Sequence, residues 1–159
     1  MQLSTRGRYA VMALAELAAR ERDRTGRPVT LAEIAASQQL SLCYLEQLFG
    51  RLRRAGLVAS ARGPGGGYRL SRPAGQLVIA EILLAVDEPL HATRCAPASG
   101  GCMRRADGGG LKCRTHDLWH ELGRQIHLFL AGVTLADVVE GRVLGRAARL
   151  GATPSIAAE

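Results

Sequence analysis

Three cysteines and one histidine follow one another at spacings that suit metal binding. They are Cys95, Cys102, Cys113 and His116, in the pattern Cys-x6-Cys-x10-Cys-x2-His. Thiolate sulfur and imidazole nitrogen are ligands for zinc and for iron–sulfur clusters. Zinc knuckles usually pair their ligands about two to four residues apart, and only Cys113 and His116 have that spacing. The wide intervals favour a larger cluster, while zinc and a thiol redox switch without metal stay open.

The remaining cysteine and histidines stand apart from this group. Cys43 falls on a predicted helix in the N-terminal half and is interpreted as a structural residue or a weak base contact. His120 stands one helical turn after His116 and is kept as a reserve ligand. We interpret His91 and His127 as solvated or core residues.

A second set of polar residues has the chemistry to read DNA bases. Glu46 and Gln47 fall opposite the apolar stripe of a helix predicted over residues 42–55. Glutamine can pair with adenine and glutamate can accept from cytosine in the major groove. Ser41 and Tyr44 can reach phosphates near the start of that helix. The alternative is that these side chains are only solvated, and the surrounding elements decide between the two interpretations.

The helices that would position these residues are predicted from caps and apolar spacing. A first helix runs to about residue 22, and its apolar face is formed by Val11, Leu14, Ala15 and Ala18. Thr30-Leu31-Ala32-Glu33 is a capping box that begins a short second helix. A turn over residues 39–41 leads to the third helix, and Ser41 can cap it. The buried stripe of the third helix is predicted to be Leu45, Leu48, Phe49 and Leu52.

A glycine-rich hairpin follows the third helix. Residues 57–61 and 68–70 are predicted strands that flank the loop over residues 63–67. Gly65 and Gly66 let this loop approach another surface closely, and the adjacent Arg62 is placed for the minor groove. A phosphate-binding loop of a nucleotide enzyme would open a helix, whereas this loop leads into a strand.

The second half is predicted to be helical around one irregular stretch. A helix is expected over residues 78–86, and residues 87–112 form a functional or disordered loop. A strong helix begins near Thr115, and Thr134 caps a short last helix through residue 140. The strong helix carries apolar residues at helical spacing, namely Leu118, Leu122, Ile126 and Phe129.

These elements set the expected fold class and domain organisation. The chain is predicted to be mainly α with a small β-hairpin wing, that is, a winged helix-turn-helix with a long C-terminal helix. Residues 1–75 would form the DNA-binding domain, and residues 76–140 would form a unit with the cysteine loop and the later helices. We expect residues 141–159 to be a disordered tail.

Positive charge is concentrated in the N-terminal half. The chain of 159 residues has a formal net charge of +7; residues 1–72 hold 12 basic and 5 acidic side chains, and residues 73–159 hold 9 of each. A polyanion partner is the natural inference, and a basic surface kept for solubility is the alternative. We find no stretch that suits a membrane span or a signal peptide, and therefore expect a cytoplasmic protein with reduced thiols.

Short segments in both halves match one known pattern. They are Leu3-Ser4-Thr5-Arg6-Gly7-Arg8-Tyr9-Ala10-Val11, Ser41-Leu42-Cys43-Tyr44-Leu45-Glu46-Gln47-Leu48-Phe49, Arg51-Leu52-Arg53, Gly56-Leu57-Val58, Arg62-Gly63-Pro64-Gly65-Gly66-Gly67-Tyr68, Ala85-Val86-Asp87-Glu88, Ala92-Thr93-Arg94-Cys95, Cys113-x-x-His116 and Leu118-Trp119. Together they resemble the IscR family, winged helix-turn-helix transcription regulators of iron–sulfur cluster assembly. The similarity covers roughly residues 1–140.

The resemblance implies a homodimer with one [2Fe-2S] cluster per subunit. The cluster ligands would be Cys95, Cys102, Cys113 and His116, and a helix over residues 115–131 would pair the two subunits. The holo-protein would bind promoter operators in double-stranded DNA and repress cluster-assembly genes, with activation as a further role at some promoters. The iron–sulfur assembly machinery would donate the cluster.

The resemblance also implies roles on the DNA-binding side. Glu46 matches a glutamate that disfavours one operator class until the cluster is present, and Arg62 matches a wing arginine that enters the minor groove. The expected DNA-contact set is Ser41, Cys43, Tyr44, Glu46, Gln47, Arg62, Gly65 and Gly66.

Two alternatives remain open beside this interpretation. The first is a zinc-stabilised or thiol-redox regulator of the same fold. The second is a cysteine enzyme or an iron–sulfur carrier. A catalytic Cys113–His116 pair would need an orienting group and an oxyanion site, and no such motif stands nearby in the sequence. The chain is therefore not expected to be an enzyme.

Overall fold

The structure is a computed structural model that describes residues 4–23, 27–88, 90, 102–104 and 110–144. The described chain forms six α-helices and two short antiparallel strand pairs. In order these elements are α1 (Thr5–Asp23), α2 (Leu31–Gln38), α3 (Leu42–Arg54), β1 (Val58–Ala61), β2 (Gly67–Leu70), α4 (Ile79–Ala85), β3 (Met103–Arg104), β4 (Gly110–Leu111), α5 (His116–Ala131) and α6 (Leu135–Val139). This arrangement is the mainly α fold with a β-hairpin wing that the sequence predicts.

Helix α1 is the element around which the others pack. It contacts α2, α3, α4 and α6 as well as strand β2. The buried face is rotated from the predicted one, because Val11 and Ala15 are only half-buried. Because several elements pack around α1, its buried face must be wider than a single stripe. The small residues on that face allow the neighbouring backbones to approach α1 closely. The buried residues of α1 are Gly7, Ala10, Ala13, Leu14, Leu17 and Ala18.

Helices α2 and α3 form the predicted helix-turn-helix. The Thr30 Oγ1 accepts from the Glu33 N–H at 3.2 Å, and the Thr30 N–H donates to Glu33 Oε2 at 2.9 Å, which confirms the capping box. Gln39 ends α2 in the left-handed region with a φ of 53°. Ser41 then caps α3, as predicted. The four residues predicted for the α3 stripe, Leu45, Leu48, Phe49 and Leu52, are all buried.

The wing is a two-stranded hairpin whose tip is a tight turn. Its strands pair from Val58 opposite Leu70 to Ala61 opposite Gly67. At the tip, the Gly66 N–H donates to the Gly63 carbonyl at 2.8 Å. Gly65 has a φ of +77°, so this four-residue turn matches type II, with proline second and glycine third.

The second half packs on the same core as the first. Helices α4 and α6 both contact α1, and buried residues such as Leu77, Ile82 and Leu135 belong to the same hydrophobic cluster as Leu14. An isolated bridge between Val78 and Thr134 joins the start of α4 to the segment after α5. One core therefore holds elements from both sides of residue 75.

The stretch predicted to be irregular contains a small hairpin. Within residues 87–112, strands β3 and β4 pair antiparallel, with Met103 opposite Leu111. Two-residue strands carry too little alternation to be detected from sequence. Residues 91–101 and 105–109, and residues 145–159 of the predicted tail, lie outside the described part of the chain.

A buried carboxylate joins the start of α1 to the end of α4. Glu88 is only 4% exposed, and its Oε1 accepts from the Ser4 N–H at 2.8 Å. The Ser4 hydroxyl donates to Oε2 of the same carboxylate. A Cβ on Gly7 would lie 2.9 Å from the Glu88 Cγ, so glycine is required for this close approach. Burial alone would raise the pKa of Glu88, but the Ser4 hydrogen bonds and the Arg6 charge outweigh it and lower the pKa.

Glu88→Gln should destabilise the fold by about 1–3 kcal/mol, because an amide NH2 would face the donors of Ser4. The lowered pKa of Glu88 also determines how the stability of the fold changes with pH. The ionised carboxylate stabilises the fold above its ordinary pKa of 4.5, and this contribution is lost as the pH falls through the lower folded value. Urea unfolding at pH 7 and below pH 4.5 should therefore show a smaller acid-induced loss in the variant. Glu140→Gln, at an exposed residue, is the control; equal stability of wild type and Glu88→Gln would contradict the account.

Candidate nucleic-acid interface and cysteine–histidine site

The outer face of α3 presents polar side chains to solvent. Ser41, Cys43, Glu46 and Gln47 are exposed, while the stripe beneath them fixes the helix on the core. An α-helix fits the major groove of duplex DNA. The residues predicted to contact bases thus lie together on an exposed face.

Tyr44 is less exposed than the polar residues beside it on α3. It is half-buried, and its ring packs edge to face on Tyr9 of α1 with centroids 6.0 Å apart. Such pairs prefer this geometry because the ring edge is positive and the ring face negative. The contact links α3 to α1 through a side chain that the sequence predicted only as a phosphate contact.

The wing tip presents the other predicted DNA-contact residues. Arg62 and Gly65 are exposed and Gly66 is half-buried. A Cβ on Gly66 would lie 2.5 Å from the Ala61 carbonyl oxygen, so only glycine fits there. This close approach to the backbone explains why residue 66 is glycine without any contact to DNA. Arg62 and Gly65 are exposed and can contact a ligand.

Basic side chains join α3 to the wing. Arg51, Arg53 and Arg54 lie in the last turn of α3, and the Arg53 guanidinium donates to Ser60 Oγ on β1 at 3.5 Å. Positive charge beside an exposed polar helix suits the phosphates that flank a groove. The arrangement can therefore hold a duplex by its backbone and present α3 to its bases.

Two of the four predicted metal ligands are in contact in the structure. The Cys102 Sγ lies 2.9 Å from the His116 Nδ1, although 14 residues separate them. The β3–β4 hairpin brings the two together, because it folds back the long interval that begins at Cys102. Both side chains are partly exposed, so a group bound between them could be reached from solvent.

The third predicted ligand lies in the turn that leads into α5. The His116 N–H donates to the Cys113 carbonyl at 3.0 Å, and the Cys113 Sγ lies 3.5 Å from Thr115 Oγ1. Cys95 falls outside the described residues. Within the described ranges, no three acidic, histidine or cysteine side chains are grouped closely enough to hold a metal ion. A sulfur and an imidazole that converge, with a second sulfur nearby in sequence, fit the donor chemistry of a cluster.

The remaining described cysteine and histidines do not take part in the Cys102–His116 contact. The His120 ring stacks on that of His116 with centroids 6.2 Å apart, which places it as a support for the His116 ring. Cys43 is exposed on α3 and His127 is exposed on α5, while His91 lies outside the described residues.

Helix α5 carries several apolar side chains that are exposed among the residues that the structure describes. None of its residues is buried, and Leu118, Trp119, Leu122 and Leu128 are between 41% and 61% exposed. Of the apolar residues predicted for this helix, Phe129 packs against the core, whereas Leu118 and Leu122 are exposed. The predicted spacing therefore marks a core contact at the end of α5 and exposed apolar side chains at its start.

A helix-turn-helix, a glycine-tipped wing and a basic rim define the class of winged-helix DNA-binding regulators. Within the ranges that the structure covers, no helix has the length and apolar character to cross a membrane. The model of the Rrf2 family, described as iron-dependent transcriptional regulators, matches residues 3–141. The chain belongs to the Rrf2 family.

Curated relatives and solved structures agree with this assignment. The chain is 48% identical over 142 residues to the HTH-type transcriptional regulator IscR of Cronobacter sakazakii, covering 89% of this chain and 82% of that protein. The IscR of Klebsiella pneumoniae gives the same identity and coverage. Among solved structures, T. potens IscR is 31% identical with a TM-score of 0.70, covering 89% and 88% of the two chains. The curated relatives are transcriptional regulators and not enzymes, and the same holds for this chain.

One group of charged residues beside α3 was not predicted from the sequence. Arg51 forms an ion pair with Asp87, and Arg6 donates to the Asp87 carbonyl. Both arginines and Asp87 stand in segments that carried the resemblance, but no spacing rule joins residues 36 or 81 positions apart. Only the tertiary fold brings them together.

Ser41 has a structural role that can be separated from any contact with DNA. Ser41→Ala should cost about 1 kcal/mol of stability, because the cap of α3 is lost, whereas Ser41→Gly should cost only a few tenths. Thermal unfolding measures this difference. Both changes remove the hydroxyl, so a phosphate contact through Ser41 Oγ would weaken DNA binding equally in the two variants. Equal stability of the two variants would show that Ser41 is not the cap.

Proposed function

We propose that this regulator senses an iron–sulfur cluster and controls genes of iron–sulfur cluster biogenesis. The observation that carries the proposal is the contact between Cys102 and His116, which folding brings together across a long interval in a member of an iron-dependent family. The two side chains are hydrogen-bonded to each other directly. A cysteine and a histidine that folding brings together are suitable ligands for one bound group, and this supports the proposal.

The proposed cofactor is one [2Fe-2S] cluster per subunit, held by Cys95, Cys102, Cys113 and His116. When bound, such a cluster supplies a centre that responds to electrons, oxidants and iron supply. The chain contributes the orientation of its ligands. The hairpin brings Cys102 to His116, and the ring of His120 lies nearly parallel to that of His116 with centroids 6.2 Å apart.

The proposed DNA contacts follow from the exposed faces of α3 and the wing. Glu46 and Gln47 read base edges in the major groove, with Cys43 beside them. Ser41 and Tyr44 contact phosphates at the start of α3. Arg62 enters the minor groove, and the tip formed by Gly65 and Gly66 approaches the DNA backbone. All of these residues except Tyr44 and Gly66, which are half-buried, are exposed, and this exposure supports the assignment.

The proposed assembly is a homodimer paired through α5. A second copy of the same helix would cover the exposed apolar side chains of Leu118, Trp119 and Leu122, which lie on one side of α5. Two recognition helices in such a dimer would read half-sites about one DNA turn, roughly 34 Å, apart. The partner of a symmetric interface presents the same patch.

The proposed division of labour assigns DNA binding to residues 1–75, and cluster binding and pairing to residues 76–140. The cluster would set the pose of the segment from Asp87 to His116, and thereby the pose of α5. The chain would receive its cluster from the iron–sulfur assembly machinery and act on cytoplasmic DNA, as a repressor and at some promoters as an activator. A zinc-stabilised or thiol-redox regulator is the alternative, favoured by the two-residue interval between Cys113 and His116.

Anaerobically purified protein should contain iron in the ratio of one [2Fe-2S] cluster per chain and absorb visible light. Cys102→Ala should lose the iron and the colour, because one ligand is removed. Cys43→Ala is the matched control and should keep both, since Cys43 lies on another element. A colourless wild-type protein with one zinc per chain would favour the alternative, and iron retained in Cys102→Ala would contradict the ligand assignment.

Glu46→Ala should change which duplex sequences bind, by about 1–3 kcal/mol between favoured and disfavoured base pairs. The slope of log affinity against log salt concentration should not fall, since no phosphate contact is lost. Competition binding with a randomised duplex pool measures both effects. Glu140→Ala, at an exposed acidic residue outside the reading helix, should leave the preference unchanged. An unaltered preference in Glu46→Ala would remove Glu46 from the reading face.

A further inference from the structure

A groove of about 490 Å³ lies between the start of α1 and the reading helix α3. Two of its lining side chains, Arg6 and Arg51, are guanidinium groups, one on each wall. Arg51 follows Gln47 by four positions on α3, so both lie on one side of that helix. We call this space the basic groove; its lining residues are Ser4, Thr5, Arg6, Tyr44, Gln47, Leu48 and Arg51.

Both arginines of the basic groove are engaged by a single residue. The Arg51 Nη1 contacts Asp87 Oδ2, and the Arg6 Nη2 donates to the backbone carbonyl of Asp87. The Nε of Arg6 is buried and has no hydrogen-bond partner in the described residues. Asp87 is the second residue after α4, and its carboxylate reaches the groove from outside.

An exposed carboxylate on an arginine resembles a DNA phosphate in charge and in its acceptor oxygens. Guanidinium groups bind carboxylates and phosphates with the same donor geometry. The basic groove borders the face of α3 that is proposed to read bases, where a duplex places its backbone. The Asp87 carboxylate thus occupies the position that suits a phosphate of bound DNA.

The Asp87 contact is not what holds the local fold. Its carboxylate side chain is 72% exposed and that of Arg51 is 37% exposed, so the ion pair is screened by water and weak. The neighbouring Glu88 is buried under the start of α1 and fixes the backbone at this point. A ligand that binds Arg51 better than Asp87 can therefore displace the carboxylate without unfolding the segment.

We propose that Arg51 is a DNA-phosphate contact and that Asp87 is its intramolecular competitor. In the free protein the carboxylate neutralises the basic groove, and on binding a duplex phosphate replaces it on Arg51. Asp87 comes just before the part of the chain that contains Cys95, Cys102 and Cys113. The strength of this competition can therefore depend on how that part of the chain is placed. The proposal rests on the proposed DNA-reading face of α3 and does not require the cluster.

The test compares variants of the full-length chain on a duplex of unrelated sequence, over a range of salt concentrations. Asp87→Asn should bind about two- to fivefold more tightly per subunit, the scale of an exposed ion pair. The slope of log affinity against log salt should stay close to that of the wild type, since Arg51 contacts the same phosphate in both complexes once Asp87 is displaced. Asn tolerates the left-handed φ of 54° at this position, and Asp87→Gly, which also accommodates it, should behave alike.

Two further variants separate competition from a general charge effect. Asp23→Asn removes the same charge at the far end of α1 and should not give the gain in affinity. Arg51→Gln should abolish the gain when combined with Asp87→Asn. Unchanged or weaker binding by Asp87→Asn, an equal gain in Asp23→Asn, or a gain that survives Arg51→Gln would each overturn the proposal. A wild-type chain that binds no duplex at all would overturn the proposed function as well, which distinguishes the two failures.

Discussion

The buried carboxylate of Glu88 is the interaction on which the rest of the structure depends. It accepts from the backbone and hydroxyl of Ser4 and lies against Gly7, so it fixes the start of α1 to the end of α4. Helix α1 in turn contacts α3 through their shared core and through the Tyr9–Tyr44 pair. The end of α4 and helix α3 are therefore held by one small set of contacts.

Local rules predicted the N-terminal half well. The capping residues Thr30 and Ser41, the α3 stripe and the glycine turn of the wing are each decided by neighbours in sequence, and the structure confirms them. The face of α1 was predicted less well, because four helices contact it and Val11 and Ala15 lie at its margin. Periodicity shows that a helix has an apolar side, but not how many partners surround it.

The second half shows what sequence reasoning could not supply. The β3–β4 hairpin is too short to leave a periodic signal, yet it brings Cys102 to His116. The contact of Asp87 with Arg51 joins residues 36 positions apart, and no local rule foresees it. The apolar spacing on α5 was detected, but Phe129 packs on the core while Leu118 and Leu122 remain exposed. A pattern of this kind cannot tell a core from an interface between subunits.

The central claim is that the affinity of the chain for DNA depends on whether the cysteine–histidine site is occupied. The most direct measurement splits one anaerobic preparation in two, removes the metal from one half, and compares binding of both halves to a promoter duplex that the loaded protein selects from genomic DNA. The account predicts that the two affinities differ by at least about fivefold, the lower end of ordinary coupling between sites. Equal affinities for the loaded and metal-free halves would contradict it.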